Sequence, residues 1–284
     1  MAWVRLNEEL LDPLMRFLGA LESGCVPFTE RLIATGRLSA PPRSQSSVFV
    51  RLERGPTVSG AVLQTTSGLY YPVLDPANPQ LEPDAVRLLA RSGRRIYSVM
   101  GRIRDVVALE AVLPRRPQQA LEYHLMSQEE PPPDIPLPRL PRGLTIREVG
   151  EEAARHLFDI QKKYEIEEVL LPGNTLSPTA TMQHLRQTLR SQMVLVAEIE
   201  GVPVGKANTN ARGVFFDQIG GVFTERSLRS RGVGTALMLR LLRRIAADGK
   251  NGTLFVKMEN APAITMYRNI GFAVEDGFRI SYYR

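Results

Sequence analysis

Residues that build cross-links and metal centres are scarce in this chain. Cys25 is the only cysteine among 284 residues, which excludes an intramolecular disulfide and a cysteine metal cluster. The three histidines, His124, His156 and His184, are far apart and lack the spacing of metal ligands. We therefore expect no bound metal and a reducing compartment.

Long apolar runs are missing as well. No run approaches the roughly 18 apolar residues of a membrane span, and residues 1–9 carry charges where a signal peptide would be apolar. The hydrophobic content of 43% supports a buried core for one large or two ordinary domains. These features predict a globular, cytoplasmic protein with no membrane partner.

The net charge of +6 is concentrated in one region of the sequence. Between residues 225 and 250, seven basic residues stand against two acidic ones. Such a surface can bind the phosphates of a small ligand or of a nucleic acid, or it can be a solvated helix face. No aromatic residues on which bases could stack lie among these charges. We therefore expect no nucleic-acid partner and keep a basic nucleic-acid-binding module as an alternative.

Periodic patterns divide the chain into helices and strands. Helical spacing predicts helices over residues 8–22, 28–38, 151–168 and 179–190. Strand-forming runs separated by glycines predict strands over residues 48–52, 58–63, 69–74, 121–126, 144–147, 194–199, 202–207 and 214–219.

A glycine-rich helix start is the most informative stretch of the sequence. Helical spacing of apolar residues predicts a helix over residues 232–247. Gly232 and Gly234 leave the N–H groups of its first turn uncovered, at the positive end of the helix dipole. A phosphate or pyrophosphate binds well at such an end, and Arg229 and Arg231 add positive charge beside it.

A second pattern follows this helix. Residues 253–258 predict a strand, and a helix after it places Asn260, Ala263 and Tyr267 three and seven residues apart. Asparagine is also a common helix N-cap, and one tyrosine on a helix is often an aromatic core residue.

The two patterns together resemble the GNAT superfamily of acyl-CoA-dependent N-acetyltransferases. Arg229, Gly232 and Gly234 match the Gln/Arg-x-x-Gly-x-Gly/Ala pyrophosphate loop of that family. Residues 260–272 match its Asn-x-x-Ala-x-x-x-Tyr pattern followed by Gly-Phe. The resemblance covers about residues 190–275 and implies an α/β fold with a mixed sheet.

The first half of the chain repeats part of the second. Residues 48–74 align with residues 194–219 as three strands punctuated by glycines. Nothing between Asp75 and Arg94 resembles the pyrophosphate loop. The position of Asn260 is held by Arg102, and that of Tyr267 by Leu109, in a rough alignment.

This repeat predicts two GNAT-like domains in tandem. We expect a degenerate domain at residues 1–126, a linker at residues 127–143 and a catalytic domain at residues 144–284. The linker contains six prolines, which favour an extended, semi-rigid spacer: Pro131, Pro132, Pro133, Pro136, Pro138 and Pro141.

The resemblance implies acetyl-CoA as the co-substrate and assigns site residues. The residues that it implies for CoA binding are Gly221, Val222, Phe223, Arg229, Ser230, Arg231, Gly232, Val233, Gly234, Thr235, Asn260 and Ala263. The strand that ends at Val222 and Phe223 would bind the pantetheine arm and offer an N–H group to the thioester oxygen. Gly220 and Gly221 would let the ligand approach, or would form a β-bulge.

Tyr267 is the expected general acid, because a tyrosine remains protonated at neutral pH and can protonate a departing thiolate. Many relatives carry a carboxylate nine residues before the loop arginine, and Gly220 stands there in this chain. Weaker candidates on the acceptor side are Glu165, Glu168 and Asp217, with Glu167 beside them.

These observations predict transfer of an acetyl group from acetyl-CoA to a primary amine on a small molecule or peptide. A non-catalytic acyl-CoA-binding or regulatory protein is the alternative, favoured by the missing carboxylate. The sequence identifies neither the acceptor nor the oligomeric state.

Overall fold

The computed structural model describes residues 2–34, 37–38, 46–53, 55–91, 93–130, 132–133, 135, 139–171 and 173–283. The strands of the first half are β1 (Ala2–Arg5), β2 (Ile33–Ala34), β3 (Arg37–Leu38), β4 (Ser46–Leu52), β5 (Val58–Thr65), β6 (Leu69–Leu74), β7 (Ser98–Arg102) and β8 (Gln119–Gln128). Its α-helices are α1 (Leu11–Gly19), α2 (Val26–Leu32), α3 (Pro83–Arg91) and α4 (Ile103–Val112).

Apart from the β2–β3 hairpin, the second half follows the same order of strands and α-helices. Its strands are β9 (Leu144–Glu148), β10 (Val194–Ile199), β11 (Val202–Arg212), β12 (Phe216–Thr224), β13 (Asn251–Lys257) and β14 (Ala273–Tyr282). Its α-helices are α5 (Phe158–Tyr164), α6 (Pro178–Ser191), α7 (Val233–Ala247) and α8 (Ala261–Asn269), and a π-helical turn (Glu165–Val169) continues α5.

Both halves share one mixed sheet of twelve strands within the described residues. The strand order is β1-β4-β5-β6-β7-β14-β8-β13-β12-β11-β10-β9, and β2 and β3 form a separate hairpin. Each half inserts its last strand into the other: β14 lies between β7 and β8, and β8 lies between β14 and β13. The two halves are therefore joined by backbone hydrogen bonds across the centre of the sheet.

Helices cover both faces of the sheet. Because side chains alternate along a strand, Val48 and Val50 pack with α1 and α2, whereas Phe49 packs with α3 and α4. In the second half, Val194 and Val196 pack with α5 and α6. The alternate residues of β10 pack with α7 and α8.

The central strand β8 relates the faces of the two halves. Leu125 packs in the cluster of α1 and α2, and the next residue, Met126, packs in that of α7. The α5 face of the sheet therefore carries α1, α2, α5 and α6, and the α7 face carries α3, α4, α7 and α8.

The structure corrects some predicted boundaries. The helix predicted over residues 28–38 ends at Leu32, where β-branched Ile33 leaves the helical conformation with φ −103° and ψ 87°. The strand predicted over residues 121–126 continues to Gln128. Of the six linker prolines, Pro131, Pro136 and Pro138 lie outside the described residues. None of the described helices has the length and apolar character that crossing a bilayer requires.

Candidate active site

The cavity that brings most of the predicted site residues together opens where two parallel strands separate. β12 and β13 pair from Phe216–Asn251 to Ile219–Leu254, and no pair follows. On its other edge β12 contains a β-bulge, since Lys206 pairs with Phe223 whereas Asn208 pairs with Gly220. The resulting cavity has a volume of 690 Å³ and is lined by residues of both faces of the sheet. It therefore forms a passage through the sheet.

On the α7 face the cavity meets the glycine-rich helix start. Gly232 is the N-cap of α7 with φ 77°, a left-handed conformation that suits glycine, and no side chain caps the helix. Ser230 is also left-handed, with φ 59°. The N–H groups of the first turn are free for an anion, so this end fits the diphosphate of a CoA thioester.

The CoA-binding residues implied by the sequence line this cavity with one exception. Those on its surface are Gly221, Val222, Phe223, Arg229, Ser230, Gly232, Val233, Gly234, Thr235, Asn260 and Ala263. Arg231 does not line it. A Cβ added to Gly234 would lie 3.3 Å from the sulfur of Met266, so a larger residue there would crowd the helix start.

Arg229 is held between the loop and the α5 extension. Its Nε donates to the carbonyl oxygen of Thr224 at 3.0 Å, and its guanidinium lies 5.5 Å from the ring centre of Phe223. Its Nη2 also lies 2.6 Å from a carboxylate oxygen of Glu167. Glu167, from the predicted acceptor-side run, is therefore paired with the arginine of the predicted pyrophosphate loop.

Tyr267 and Asn260 come from α8 on the same face. Tyr267 is 7% exposed and packs edge-on against Phe272, with ring centres 5.9 Å apart. Burial raises the pKa of its hydroxyl, and the charges of Tyr164 and Glu168 act in the same direction. Tyr267 is therefore protonated across the physiological range and can act only as a proton donor there.

Asn260 is the N-cap of α8. Its side-chain oxygen accepts a hydrogen bond from the N–H group of Ala263 at 3.3 Å. The helix-cap interpretation of Asn260 is thus observed, and the same residue lines the cavity.

On the α5 face the cavity is walled by strands from both halves. Leu121 and Tyr123 come from β8, and Ile280 and Tyr282 come from β14. Phe255 of β13 joins them, with its ring centre 5.4 Å from that of Tyr123. The strand exchange thus makes the first half a part of this wall.

The predicted acceptor-side carboxylates are engaged by other side chains. Glu165 accepts hydrogen bonds from Gln161 at 2.9 Å and from the Thr181 hydroxyl. Glu168 lies 3.2 Å from the Nζ of Lys257. Glu165 and Glu168 both line the cavity.

Asp217 lies outside the cavity. Its carboxylate is fully buried and pairs with Arg212 at 3.3 Å and with Lys250 at 3.2 Å. Burial raises its pKa, and both cations counteract that shift.

No carboxylate can replace Gly220 without rearrangement. A Cβ there would lie 2.0 Å from the Nδ2 of Asn210, and a Cβ at Gly221 would lie 1.9 Å from the Oδ1 of Asn208. The two glycines therefore accommodate polar side chains of β11 as well as the bulge.

Lys206 is a cavity residue that the sequence reasoning missed. It is 2% exposed, and its Nζ donates to the carbonyl of Gly221 at 3.0 Å and to Oδ1 of Asn208 at 2.9 Å. Burial lowers its pKa to about 7, opposed by the charge of Glu165. The sequence did contain a sign of this residue: a lysine stands between Gly205 and Ala207 within a predicted strand, where a buried position is normally apolar.

Comparisons with known proteins agree with this architecture. Residues 154–272 match the model of the Acetyltransferase (GNAT) family. No curated protein sequence matches the chain. A tandem GNAT protein from the clavulanic acid biosynthesis pathway is similar in structure, with a TM-score of 0.60 and 16% identity over 99% of this chain and 98% of its own.

Two further solved structures cover the whole chain. A Drosophila protein has a TM-score of 0.66 and 13% identity, over 99% of this chain and 98% of its own. A GNAT-family acetyltransferase from Colwellia psychrerythraea has a TM-score of 0.54 and 10% identity, over 100% of both chains. The chain therefore has the fold of tandem GNAT proteins, and residues 154–272 carry the match to the GNAT family.

Proposed function

We propose that the protein is an N-acetyltransferase that moves the acetyl group of acetyl-CoA directly to a primary amine. The observation that carries the proposal is the passage through the sheet between β12 and β13. Its lining includes the uncapped start of α7 and Tyr267 on one face of the sheet, and Tyr164, Glu165 and His184 on the α5 face. Two substrates could thus approach one point from opposite faces, as direct transfer requires.

Each part of the passage suits one step. The first-turn N–H groups of α7 would hold the diphosphate, while Asn260 and Ala263 would lie along the pantetheine arm. The edge of β12 beyond Ile219 has lost its strand partner, so its N–H groups near Val222 could bind the oxyanion of the tetrahedral adduct. Tyr267 would protonate the departing thiolate.

We also propose that residues 144–284 form the catalytic unit and that residues 1–126 form a degenerate one. The first half has no glycine-rich loop before α3. Through β8 it supplies Leu121 and Tyr123 to the acceptor side of the cavity.

A non-catalytic acyl-CoA-binding protein is a second candidate, because the lack of space at Gly220 removes the carboxylate that many relatives use. Release of free thiol from acetyl-CoA separates the two functions. The protein would be incubated with acetyl-CoA and with polyamines, amino acids, aminoglycosides or peptides. Amine-dependent thiol release supports transfer, whereas tight CoA binding without release for any amine supports the binding function.

A further inference from the structure

The side chain of Lys206 lies on the acceptor side of the passage. Its neighbour Ala207 packs in the core of the α7 face, so Lys206 points to the α5 face. There its Nζ lies 4.7 Å from the ring centre of Tyr164, on α5. The Gly221 carbonyl that it bonds is part of the bulge where β12 leaves β13. Lys206 is thus next to the place where the proposed thioester and amine would meet.

The hydrogen bonds of Lys206 suit a neutral amine. A neutral amino group has two N–H bonds and one lone pair, and the two bonds are used by the Gly221 carbonyl and Asn208. The orientation of the Asn208 side chain is itself fixed, since its Nδ2 donates to the carbonyl oxygen of Thr209 at 3.0 Å and to the Oδ1 of Asn210 at 3.0 Å. The lone pair is then left for a proton.

The surroundings of Lys206 also favour the neutral form. Lys206 makes no ion pair with any described carboxylate, and Glu165 is the charge that counteracts the effect of burial. Glu165 is bound by its own partners on α5 and α6, with His184 Nδ1 at 3.6 Å. Tyr164 keeps its proton, because burial raises its pKa to about 12. The π-helical turn after α5 also brings Glu167 and Glu168 to the cavity, where Arg229 and Lys257 pair with them.

We propose that Lys206 is the general base of the transfer reaction. An alkylammonium acceptor gives one proton to the Nζ of Lys206, and the freed nitrogen lone pair forms a C–N bond with the thioester carbonyl carbon. The C–S bond then breaks with its electron pair on sulfur. The thiolate takes the hydroxyl proton of Tyr267, the second proton that the nitrogen loses as the adduct collapses restores that hydroxyl, and Lys206 returns its own proton to water. One amide, one thiol and one proton are formed.

This assignment supplies what the missing carboxylate leaves open. An alkylammonium has a pKa near that of free lysine, roughly 10.4, so most of the acceptor arrives protonated at neutral pH. A general base works best when its pKa lies near the working pH. Lys206 meets that requirement through burial, at a position of β11 next to the bulge.

The test is Lys206→Met, with Lys162→Met as the matched control. Lys162 pairs with Asp159 on the outside of α5, at 2.7 Å, and does not line the cavity. The inference rests on the proposed function, so an amine accepted by the wild type is found first. We expect Lys206→Met to lower kcat by about 10²- to 10⁴-fold with CoA affinity retained, and Lys162→Met to keep both.

The pH profile separates a base from a packing residue. Wild-type kcat should level off above about 7, where Lys206 is neutral. The residual kcat of Lys206→Met should keep rising through that pH. A Lys206→Met variant with wild-type kcat, or with the wild-type plateau, overturns the inference.

Restoring the amine gives a positive test. Lys206→Cys treated with 2-bromoethylamine regains an amine with sulfur in place of one methylene group and should recover activity. Lys206→Arg, which stays charged, should not. Treated wild type controls for Cys25, whose buried thiol has a raised pKa and reacts slowly. An active Lys206→Arg variant contradicts this inference but leaves the proposed function standing. No thiol release by the wild type with any amine contradicts the proposed function as well.

Discussion

The loops that precede α3 and α7 occupy matching places in the two halves, each between two parallel strands, but they present opposite backbone groups. Before α7, Gly232 leaves the N–H groups of the helix uncapped. Before α3, the chain turns carbonyl oxygens toward Arg51, which is fully buried. Its guanidinium donates to the carbonyls of Asn78 and Gln80, each at 2.8 Å.

The spaces beyond these loops differ in the same way. β6 and β7 pair only at Leu69–Ser98 and Tyr70–Val99, so they also separate. Protein side chains occupy this region of the first half. The hydroxyl of Tyr71 donates to the carbonyl of Gly24 at 2.8 Å, and Phe278 packs edge-on against Tyr71. One sheet frame thus supports an open site and a filled one, and the difference lies in loop conformation and side-chain volume.

The largest effect should come from closing the open helix start. In Gly232→Asp, a side chain and a negative charge enter the proposed diphosphate site, so we expect CoA affinity to fall by more than 100-fold, about 3 kcal/mol. Gly249→Asp is the control, because Gly249 has a similar φ of 73° with no atom within 4 Å of an added Cβ. Calorimetric titration compares them. Equal affinities would place CoA elsewhere.

Removing one hydroxyl in each half sharpens the contrast. We expect Tyr267→Phe to lower kcat by about 10²- to 10⁴-fold with CoA affinity unchanged, because only proton donation is lost. Tyr71→Phe should instead lower the free energy of unfolding by about 1–2 kcal/mol and leave kcat unchanged. Steady-state kinetics and urea unfolding measure both variants. Equal losses of rate and CoA affinity in Tyr267→Phe would make it a packing residue.

The filled loop should depend on its arginine for stability. In Arg51→Met the carbonyls of Ser59, Asn78 and Gln80 lose their charged donor, so we expect unfolding to become easier by about 3 kcal/mol or more. The exposed Arg87 pairs with Asp84 on α3, and Arg87→Met should change stability by under about 1 kcal/mol. Urea unfolding measures both variants. An unchanged free energy of unfolding for Arg51→Met would mean that the loop before α3 does not depend on the Arg51 guanidinium.

A further expected effect is a pH dependence of the free energy of unfolding, with opposite sign in the two halves. Burial raises the pKa of Asp105 to about 6, against the charge of Arg104, so the native state holds that proton longer than the unfolded chain. Its contribution is complete at low pH and is lost as pH rises through about 6. Lys206, with a pKa of about 7, loses its proton at a lower pH in the folded protein than in the unfolded chain. Its contribution is present above the unfolded pKa and is lost as pH falls through about 7.

Unfolding free energies measured across pH test these signs, with an amplitude of about 3 kcal/mol or less for Asp105. Asp105→Asn should flatten the dependence on the acidic side only, and Lys206→Met on the alkaline side only. If the pH dependence of the unfolding free energy were unchanged on the acidic side in Asp105→Asn, or on the alkaline side in Lys206→Met, another group would be responsible for it.

Local patterns predicted the elements of the second half well. The helix expected over residues 232–247 is observed at Val233–Ala247. The GNAT fold and the tandem arrangement are confirmed by the family match and the structural relatives. These features depend on short-range periodicity and on glycine positions, which a sequence displays directly.

Features that depend on distant pairing could not be predicted. The exchange of β8 and β14 joins strands far apart in the sequence, and no local pattern specifies such a partner. Lys206 was missed because its environment is made by the bulge at Gly221 and by Tyr164 from another element. Asp217 is on the same strand as the cavity residues Gly220 and Gly221, and the sequence therefore made it a candidate. It lies where β12 and β13 are still paired, away from the point where they separate.

The number of acetyl-CoA molecules bound per chain tests the contrast between the halves most directly. Calorimetry on the full chain should give one site, and the same titration of Gly232→Asp should give none. A stoichiometry of two, or one site that remains in Gly232→Asp with wild-type affinity, would contradict the account.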